Sequence, residues 1–142
     1  QRTFDLQFEM LKNDEAVLIG LREQGRFVAF SYFFQHDGGA YYGSSARDLE
    51  AMPDAPLEHC ILWTAIEYYA GRKFMTLETG WQQFGAQLFS PASSKERNLS
   101  FFKRGFGGEI VPLFRGIRYY DRAYLERDLI DQVKSLAAAY DF

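Results

Sequence analysis

The chain has few of the residues that carry metal and thiol chemistry. Its 142 residues include one cysteine, Cys60, and two histidines, His36 and His59. A single cysteine cannot form an internal disulfide, and these residues lack the C-x-x-C and H-x-x-x-H spacings of zinc sites. The serine pairs lack a G-x-S-x-G setting, so a serine hydrolase is unsupported. The sequence predicts no metal site, and the lone cysteine favours a cytoplasmic protein.

Net positive charge and long apolar runs are also missing. The net charge of -3 and the pI near 5.4 exclude the electrostatic footprint of a general nucleic-acid binder, so DNA is not a predicted partner. No apolar run reaches the length of a bilayer span, so no integral membrane span is predicted. The chain starts at Gln1 without an initiating methionine and enters a helical pattern at once. We therefore expect a fragment of a longer protein with a missing N-terminal domain.

Apolar and aromatic residues are plentiful. Hydrophobic residues make up 47% of the chain and charged residues 25%, which is typical of a globular protein. At this length, residues 1–142 are predicted to form a single domain with one core. Aromatic residues reach 18%, a surplus that suits either a core or a binding groove.

The first half of the sequence predicts a helix followed by a three-strand meander. Phe4, Phe8 and Leu11 recur at helical spacing, so we expect their apolar stripe to face inward. Three β-rich runs follow, and the short glycine-containing turns between them leave room only for antiparallel pairing. These runs are residues 16–23, 26–35 and 40–45.

The second half predicts helix–strand units. A loop over residues 47–56 leads into a helix that ends at Gly71, with Asp54 as a cap or near-cap. The later predictions are a central strand over 74–78, an irregular stretch over 82–94, a helix over 95–104, a strand over 109–120 and a final helix capped by Asp121. The fold class is α/β (α+β), with a mixed sheet in which an antiparallel meander precedes helix–strand units.

Two segments carry a resemblance to a known family. Residues 62–69 followed by 74–80 (LWTAIEYY, then FMTLETG) give a helix and a strand ending in an acidic residue and glycine. Residues 99–109 (LSFFKRGFGGE) are similar to a Phe-Lys-x-x-(Phe/Trp)-Gly segment. Together with the element order, both resemble FemAB-like proteins of the GNAT N-acyltransferase superfamily, over roughly residues 15–120.

The resemblance implies transfer of an aminoacyl or acyl group to an amine of a cell-wall (peptidoglycan) or saccharide precursor. The donor is aminoacyl-tRNA or acyl-CoA, and no permanently bound cofactor is implied. Ordinary GNAT enzymes present a glycine-containing turn to the CoA diphosphate, but residues 45–52 contain no glycine. That departure favours a FemAB-like transferase over the first alternative, an acyl-CoA-dependent N-acetyltransferase. The other alternative is a non-catalytic GNAT-like domain that supports a missing N-terminal half or a partner.

The candidate site residues follow from this resemblance. Glu78 would accept a proton from the attacking amine, Lys103 and Arg104 would hold a substrate phosphate, and Tyr42 and Trp81 would line the acceptor groove. In the acyl-CoA alternative, the cofactor-binding residues would be four consecutive residues that act through their backbone: Ser44, Ser45, Ala46 and Arg47. A surface carboxylate, a solvated helix end and core aromatics are the alternatives for the side chains.

Overall fold

A computed structural model describes residues 2–84, 86–87, 90–113 and 116–140. These residues form two compact units, Gln1–Gly80 and Trp81–Phe142. The first unit contains a four-stranded sheet with two helices, and the second contains two helices with a two-stranded ribbon. The predicted mixed α/β fold class is therefore confirmed, while the prediction of a single domain over 1–142 stays a prediction.

The first unit begins with the predicted helix and meander. Helix α1 spans Arg2–Lys12, and strands β1 (Ala16–Glu23), β2 (Arg26–His36) and β3 (Gly39–Arg47) pair antiparallel in sequence order. Both hairpins turn on two residues with positive φ, Gln24-Gly25 and Asp37-Gly38. Such turns match the twist of the strands, which is why the short glycine-containing breaks fixed the antiparallel order.

Helix α2 and strand β4 complete this unit. Helix α2 spans Leu57–Gly71 and supplies the crossover that lets β4 (Thr76–Glu78) pair parallel to β3. The sheet order is β1-β2-β3-β4. One face of α2 packs on the sheet through its buried residues Leu57, Ile61, Leu62, Ala65 and Tyr69. The ring of Tyr69 contacts that of Phe33 on β2 at a centroid distance of 6.0 Å.

Several sequence predictions for this unit are wrong in detail. The α1 stripe does not face inward, because Phe4 and Phe8 are exposed and no residue of α1 is buried. Strand β4 lies at the edge of the described sheet and not at its centre. Strand β3 continues to Arg47 because it pairs with β2 along that length, so the loop starts at Asp48. The N-cap residue of α2 is Pro56, which makes no side-chain cap hydrogen bond, so Asp54 is not the cap residue itself.

Tyr69 gives the first testable prediction. Burial, reinforced by the neighbouring Tyr68 and Asp14, raises the pKa of Tyr69 to about 12, although Arg72 acts in the opposite direction. In the unfolded chain a tyrosine ionises near pH 10, so between pH 10 and 12 the folded state holds a proton that the unfolded state loses. Stability should therefore fall as pH rises through this window, by about 2 kcal/mol from this group.

The measurement is chemical denaturation of the wild type and Tyr69→Phe at pH 7, 9 and 11.5. The hydroxyl of Tyr69 is buried and has no hydrogen-bond partner among the described residues, so its removal should leave stability at pH 7 equal or higher. At pH 11.5 the phenylalanine variant should be the more stable protein. Tyr120→Phe, at an exposed position, is the matched control. A parallel loss of stability in the wild type and Tyr69→Phe would contradict the assignment.

The second unit is built from short strands and two helices. Strands β5 (Ala86–Gln87) and β6 (Ser90–Pro91) pair antiparallel, helix α3 spans Ser94–Arg104 and helix α4 spans Arg122–Tyr140. Asp121 caps α4 as predicted, because its Oδ1 accepts from the amide of Ala123 at 2.7 Å. The predicted strand over 109–120 is wrong where the structure describes it. No described strand lies beside this run, and Pro112 lacks an amide to donate.

Helix α3 starts with a capping box, which gives a second prediction. The amide of Glu96 donates to Ser93 Oγ at 3.2 Å, and the amide of Ser93 donates to Glu96 Oε2 at 2.8 Å. Hydrogen bonds from the side chain and amide of Ser93 lower the pKa of Glu96. Ser93→Ala should lower the free energy of unfolding by about 1 kcal/mol at pH 7.

Denaturant unfolding of Ser93→Ala against Ser135→Ala, an exposed serine on α4, measures this effect. The stabilisation from Glu96 is present above the usual carboxyl range and is lost as pH falls through its lowered pKa, so the difference between the variants should shrink in acid. Equal stability of the two variants at pH 7 would show that the capping box has no energetic role.

Candidate functional site

The candidate site of the first unit lies where β3 and β4 part. The parallel ladder contains only three rungs, from Gly39 opposite Thr76 to Tyr41 opposite Glu78. Beyond Tyr41, strand β3 continues to Arg47 along β2, but no described strand pairs with its other edge. We call this edge, residues 42–47 of β3, the open edge. An unpaired edge offers amide and carbonyl groups to a further extended chain.

The orientation of the backbone shows which groups the open edge offers. The amide of Asp48 donates to Val28 O at 2.9 Å, toward β2. Because successive residues of a strand alternate, Arg47 and Ser45 direct their amide and carbonyl groups away from β2. Ala46 and Ser44 direct theirs toward β2, opposite Phe30 and Tyr32. Of the four predicted donor-binding residues, Ser45 and Arg47 therefore present free-edge backbone groups.

Glu78 occupies the last rung before the strands part. Its side chain is exposed, and its partner across the parallel ladder is Tyr41. Partners in a ladder point to the same face, so Tyr41 and Glu78 lie side by side on one face of the sheet. This places a carboxylate at the beginning of the open edge.

The predicted tyrosine is on the other face. The ring of Tyr42 packs against that of Phe33, with centroids 5.4 Å apart, and Phe33 is fully buried under α2. Strand alternation separates Tyr42 from Tyr41, so the structure places Tyr41, and not the predicted Tyr42, beside Glu78. The signal that could have found Tyr41 is the register of β3 and β4, which the sequence does not display.

The side chain of Arg47 binds other residues of the first unit. Its guanidinium lies 3.4 Å from Glu58 Oε2 and donates to Pro53 O at 3.2 Å. The ion pair is partly buried and links the end of β3 to the first turn of α2. The side chain therefore fixes the loop after β3, and the backbone of Arg47 is the part that faces the open edge.

The remaining predicted residues belong to the second unit. Lys103 is only 7% exposed, and its Nζ donates to the carbonyl oxygen of Trp81 at 3.1 Å. Ser100, one turn earlier on α3, accepts from the amide of Gln83 at 2.7 Å. These contacts hold the segment that follows β4 against α3. The helical spacing of Ser100 and Lys103 was the available signal that Lys103 lies on an inward face.

Arg104 and Trp81 keep exposed side chains. The guanidinium of Arg104 lies over the ring of Phe84 at 5.5 Å from its centroid, and Phe84 in turn contacts Phe101 edge to face. The side chain of Trp81 is 50% exposed. Of the predicted cationic pair, Lys103 and Arg104, only the side chain of Arg104 is exposed. Its guanidinium makes a cation–π contact with Phe84.

Two features are absent from the described residues. No group of three or more His, Cys, Asp or Glu residues that could hold a metal ion occurs in the described part of the chain. Among the described helices, none combines the length and apolar character needed to cross a bilayer. Tyr41, Glu78 and the open edge form the candidate site of the first unit.

Comparison with known proteins identifies the fold. No protein-family model and no curated sequence matches the chain. It is similar to the structure of a ribosomal-protein-alanine N-acetyltransferase from Brucella melitensis biovar Abortus 2308, with a TM-score of 0.52 and 11% identity, covering 78% of this chain and 76% of that one. It is also similar to a variant of the BH1408 protein from Bacillus halodurans, with a TM-score of 0.55 and 10% identity, covering 80% and 73%. The chain has a GNAT-like fold.

Proposed function

We propose that the chain is an N-acyltransferase that moves an acyl group from a thioester donor to an amine. The observation that carries the proposal is the open edge of β3, which begins at the rung that contains Glu78. The similarity to a named N-acetyltransferase supports the same class of reaction.

The open edge suits a donor with a linear amide-bearing arm. A pantetheine arm has amide groups along a flexible chain, so it can pair with free strand groups as an added strand does. Ser45 and Arg47 present both donors and acceptors on that edge. The length from residue 42 to residue 47 is roughly 17 Å at strand spacing, which is comparable to the extended arm. The thioester would then lie at the end of the edge near Glu78.

The chemistry needs an attacking amine and a leaving thiol. The amine nitrogen forms a bond to the thioester carbonyl carbon, and the carbon–sulfur bond breaks. Glu78 accepts the proton that the nitrogen loses, and the departing sulfur takes up a proton to leave as the thiol. Its exposure on the sheet face gives the carboxylate access to an incoming amine.

The finer FemAB-like hypothesis concerns donor and acceptor. It is supported by the glycine-free segment 45–52 and by residues 99–109, and it assigns aminoacyl-tRNA as donor and a cell-wall or saccharide precursor amine as acceptor. In this hypothesis Arg104 would contact a substrate phosphate, and Trp81 would contact the acceptor. Lys103 would act by holding Trp81 through its carbonyl oxygen.

A non-catalytic supporting domain is the second candidate. The observation in its favour is the exposed apolar stripe of α1, where Phe4 and Phe8, one turn apart, face solvent. Large exposed apolar patches are typical of interaction surfaces. This candidate predicts no acyl transfer by the chain alone or with its partner.

The test is a transfer assay with mass-spectrometric detection. The protein is incubated with acetyl-pantetheine, acetyl-CoA or aminoacyl-tRNA and a panel of amines that includes amino sugars, lysine peptides and peptidoglycan precursors. We expect enzyme-dependent amide formation from a thioester. Transfer only from aminoacyl-tRNA would favour the FemAB-like donor, and no transfer from any donor would favour the non-catalytic candidate.

A further inference from the structure

We infer that Asp48 is a specificity-determining residue that makes the chain discriminate against donors carrying the phosphates of CoA. The donor class is then an acylated pantetheine arm without a nucleotide diphosphate. This inference rests on the proposed function, because it concerns the far end of a thioester arm that lies on the open edge.

The carboxylate of Asp48 occupies the backbone donors just past that edge. Asp48 Oδ1 accepts from the amide of Glu50 at 3.0 Å and from the amide of Ala51 at 3.3 Å. The other oxygen, Oδ2, accepts from the guanidinium of Arg26 at 2.6 Å. Two convergent amides and an arginine are the groups that bind a phosphate elsewhere in proteins. Here the carboxylate of Asp48 already accepts hydrogen bonds from these two amides and from Arg26.

Two backbone amides in the first turn of α2 already donate within the chain. The amide of Leu57 donates to Ala55 O at 2.9 Å, and the amide of His59 donates to Pro56 O at 3.0 Å. Glu58 brings a negative charge to this turn and pairs with Arg47. The helix terminus is therefore already matched with a carboxylate, which is the charge that its dipole favours.

The charge of the whole segment opposes a phosphorylated donor. Residues 47–58 contain one arginine against four carboxylates: Asp48, Glu50, Asp54 and Glu58. An arm whose thioester lies near Glu78 runs along β3 toward Arg47, so its far end meets this acidic segment. CoA places a diphosphate and a 3′-phosphate there, whereas pantetheine ends in neutral groups. Like charges in contact disfavour a ligand strongly, so the segment selects against CoA.

The experiment measures binding of CoA and of pantetheine, the free thiols, by titration calorimetry at low salt. The wild type should bind CoA no more tightly than pantetheine. Asp48→Asn keeps an Oδ1 acceptor for the two amides but removes the charge and releases Arg26, so it should bind CoA roughly five-fold more tightly. Its affinity for pantetheine should be unchanged. The double variant Arg26→Gln/Asp48→Asn should lose most of the gain.

Asp37→Asn is the matched control, since it removes the same charge at the β2–β3 turn, where asparagine tolerates the positive φ. It should change neither affinity. A wild type that binds CoA ten-fold more tightly than pantetheine would overturn the inference while leaving the proposed function standing. An Asp48→Asn variant with unchanged circular dichroism and unchanged CoA affinity would also overturn it. Failure of both thiols to bind would remove the thioester donor, and with it both proposals.

Discussion

Replacing Glu78 by glutamine is expected to lower kcat for acyl transfer about a hundredfold, with little change in donor affinity. The carboxylate stands at the last rung of the β3–β4 ladder, beside Tyr41 and at the beginning of the open edge. A positioned base typically contributes about 10² to 10⁴ in rate, and glutamine keeps the size of the side chain but cannot accept the proton. Because Glu78 is exposed and no ion pair of the described residues involves it, the substitution should not change stability measurably.

The control is Glu23→Gln, which makes the same change at the exposed end of β1. Steady-state rates of both variants with the best thioester and amine pair give kcat and KM separately. A loss confined to kcat in Glu78→Gln supports a role in proton transfer. Full activity of Glu78→Gln would show that positioning of a neutral amine beside the thioester is sufficient, and that the chain needs no base at this position.

Replacing Ser45 by proline is expected to weaken donor binding at least tenfold while the fold remains intact. The amide of Ser45 points away from β2, so proline removes no hydrogen bond of the β2–β3 ladder. It does remove one donor of the open edge, and its ring occupies the space that a paired arm would fill. The loss of one hydrogen bond weakens binding by about 1 kcal/mol, and the clash between the proline ring and the arm weakens it further.

Two variants separate these effects. Ser45→Ala changes the side chain but keeps the amide, so it should bind the donor as the wild type does. Ala46→Pro removes an amide that points toward β2, so it should lower the melting temperature by several degrees where Ser45→Pro does not. Equal donor affinity in Ser45→Pro and Ser45→Ala would contradict pairing of the arm with the open edge.

The meander was predictable because local chemistry determined it. Gln24-Gly25 and Asp37-Gly38 are short turns of residues that tolerate positive φ, and such turns allow only antiparallel hairpins. The extent of β3 was less predictable. Ala46 and Arg47 lie beyond the predicted strand over 40–45, and they are in β3 because β2 is long enough to pair with them.

The prediction of a strand over 109–120 is wrong because this run has no neighbouring strand among the described residues. Its β-branched and aromatic residues suit a strand, but a strand needs a neighbour, and the described part of the second unit provides none beside it. Ile110, Val111 and Leu113 are exposed instead. Local propensity predicted an extended strand here, but residues 109–113 and 116–120 are irregular and have no neighbouring strand among the described residues.

In the candidate site, too, some residues were predictable from the sequence and others depended on tertiary contacts. Glu78 was predictable as the acidic residue that ends a strand, but its partner Tyr41 depended on the parallel register. Lys103 looked like a surface cation in sequence, yet it is buried and holds the carbonyl oxygen of Trp81. The role of Asp48 required the positions of two backbone amides and of Arg26, which lies 22 residues earlier in the chain.

The most direct test of the open edge as the donor site is amide hydrogen exchange, resolved by residue, with and without a saturating non-hydrolysable acyl-pantetheine thioether. The amides of Ser45 and Arg47 should become protected when the arm pairs with them. The amide of Ala46 already faces β2 and should change little, so it serves as the internal reference. Unchanged exchange at Ser45 and Arg47 in the saturated protein would contradict the account.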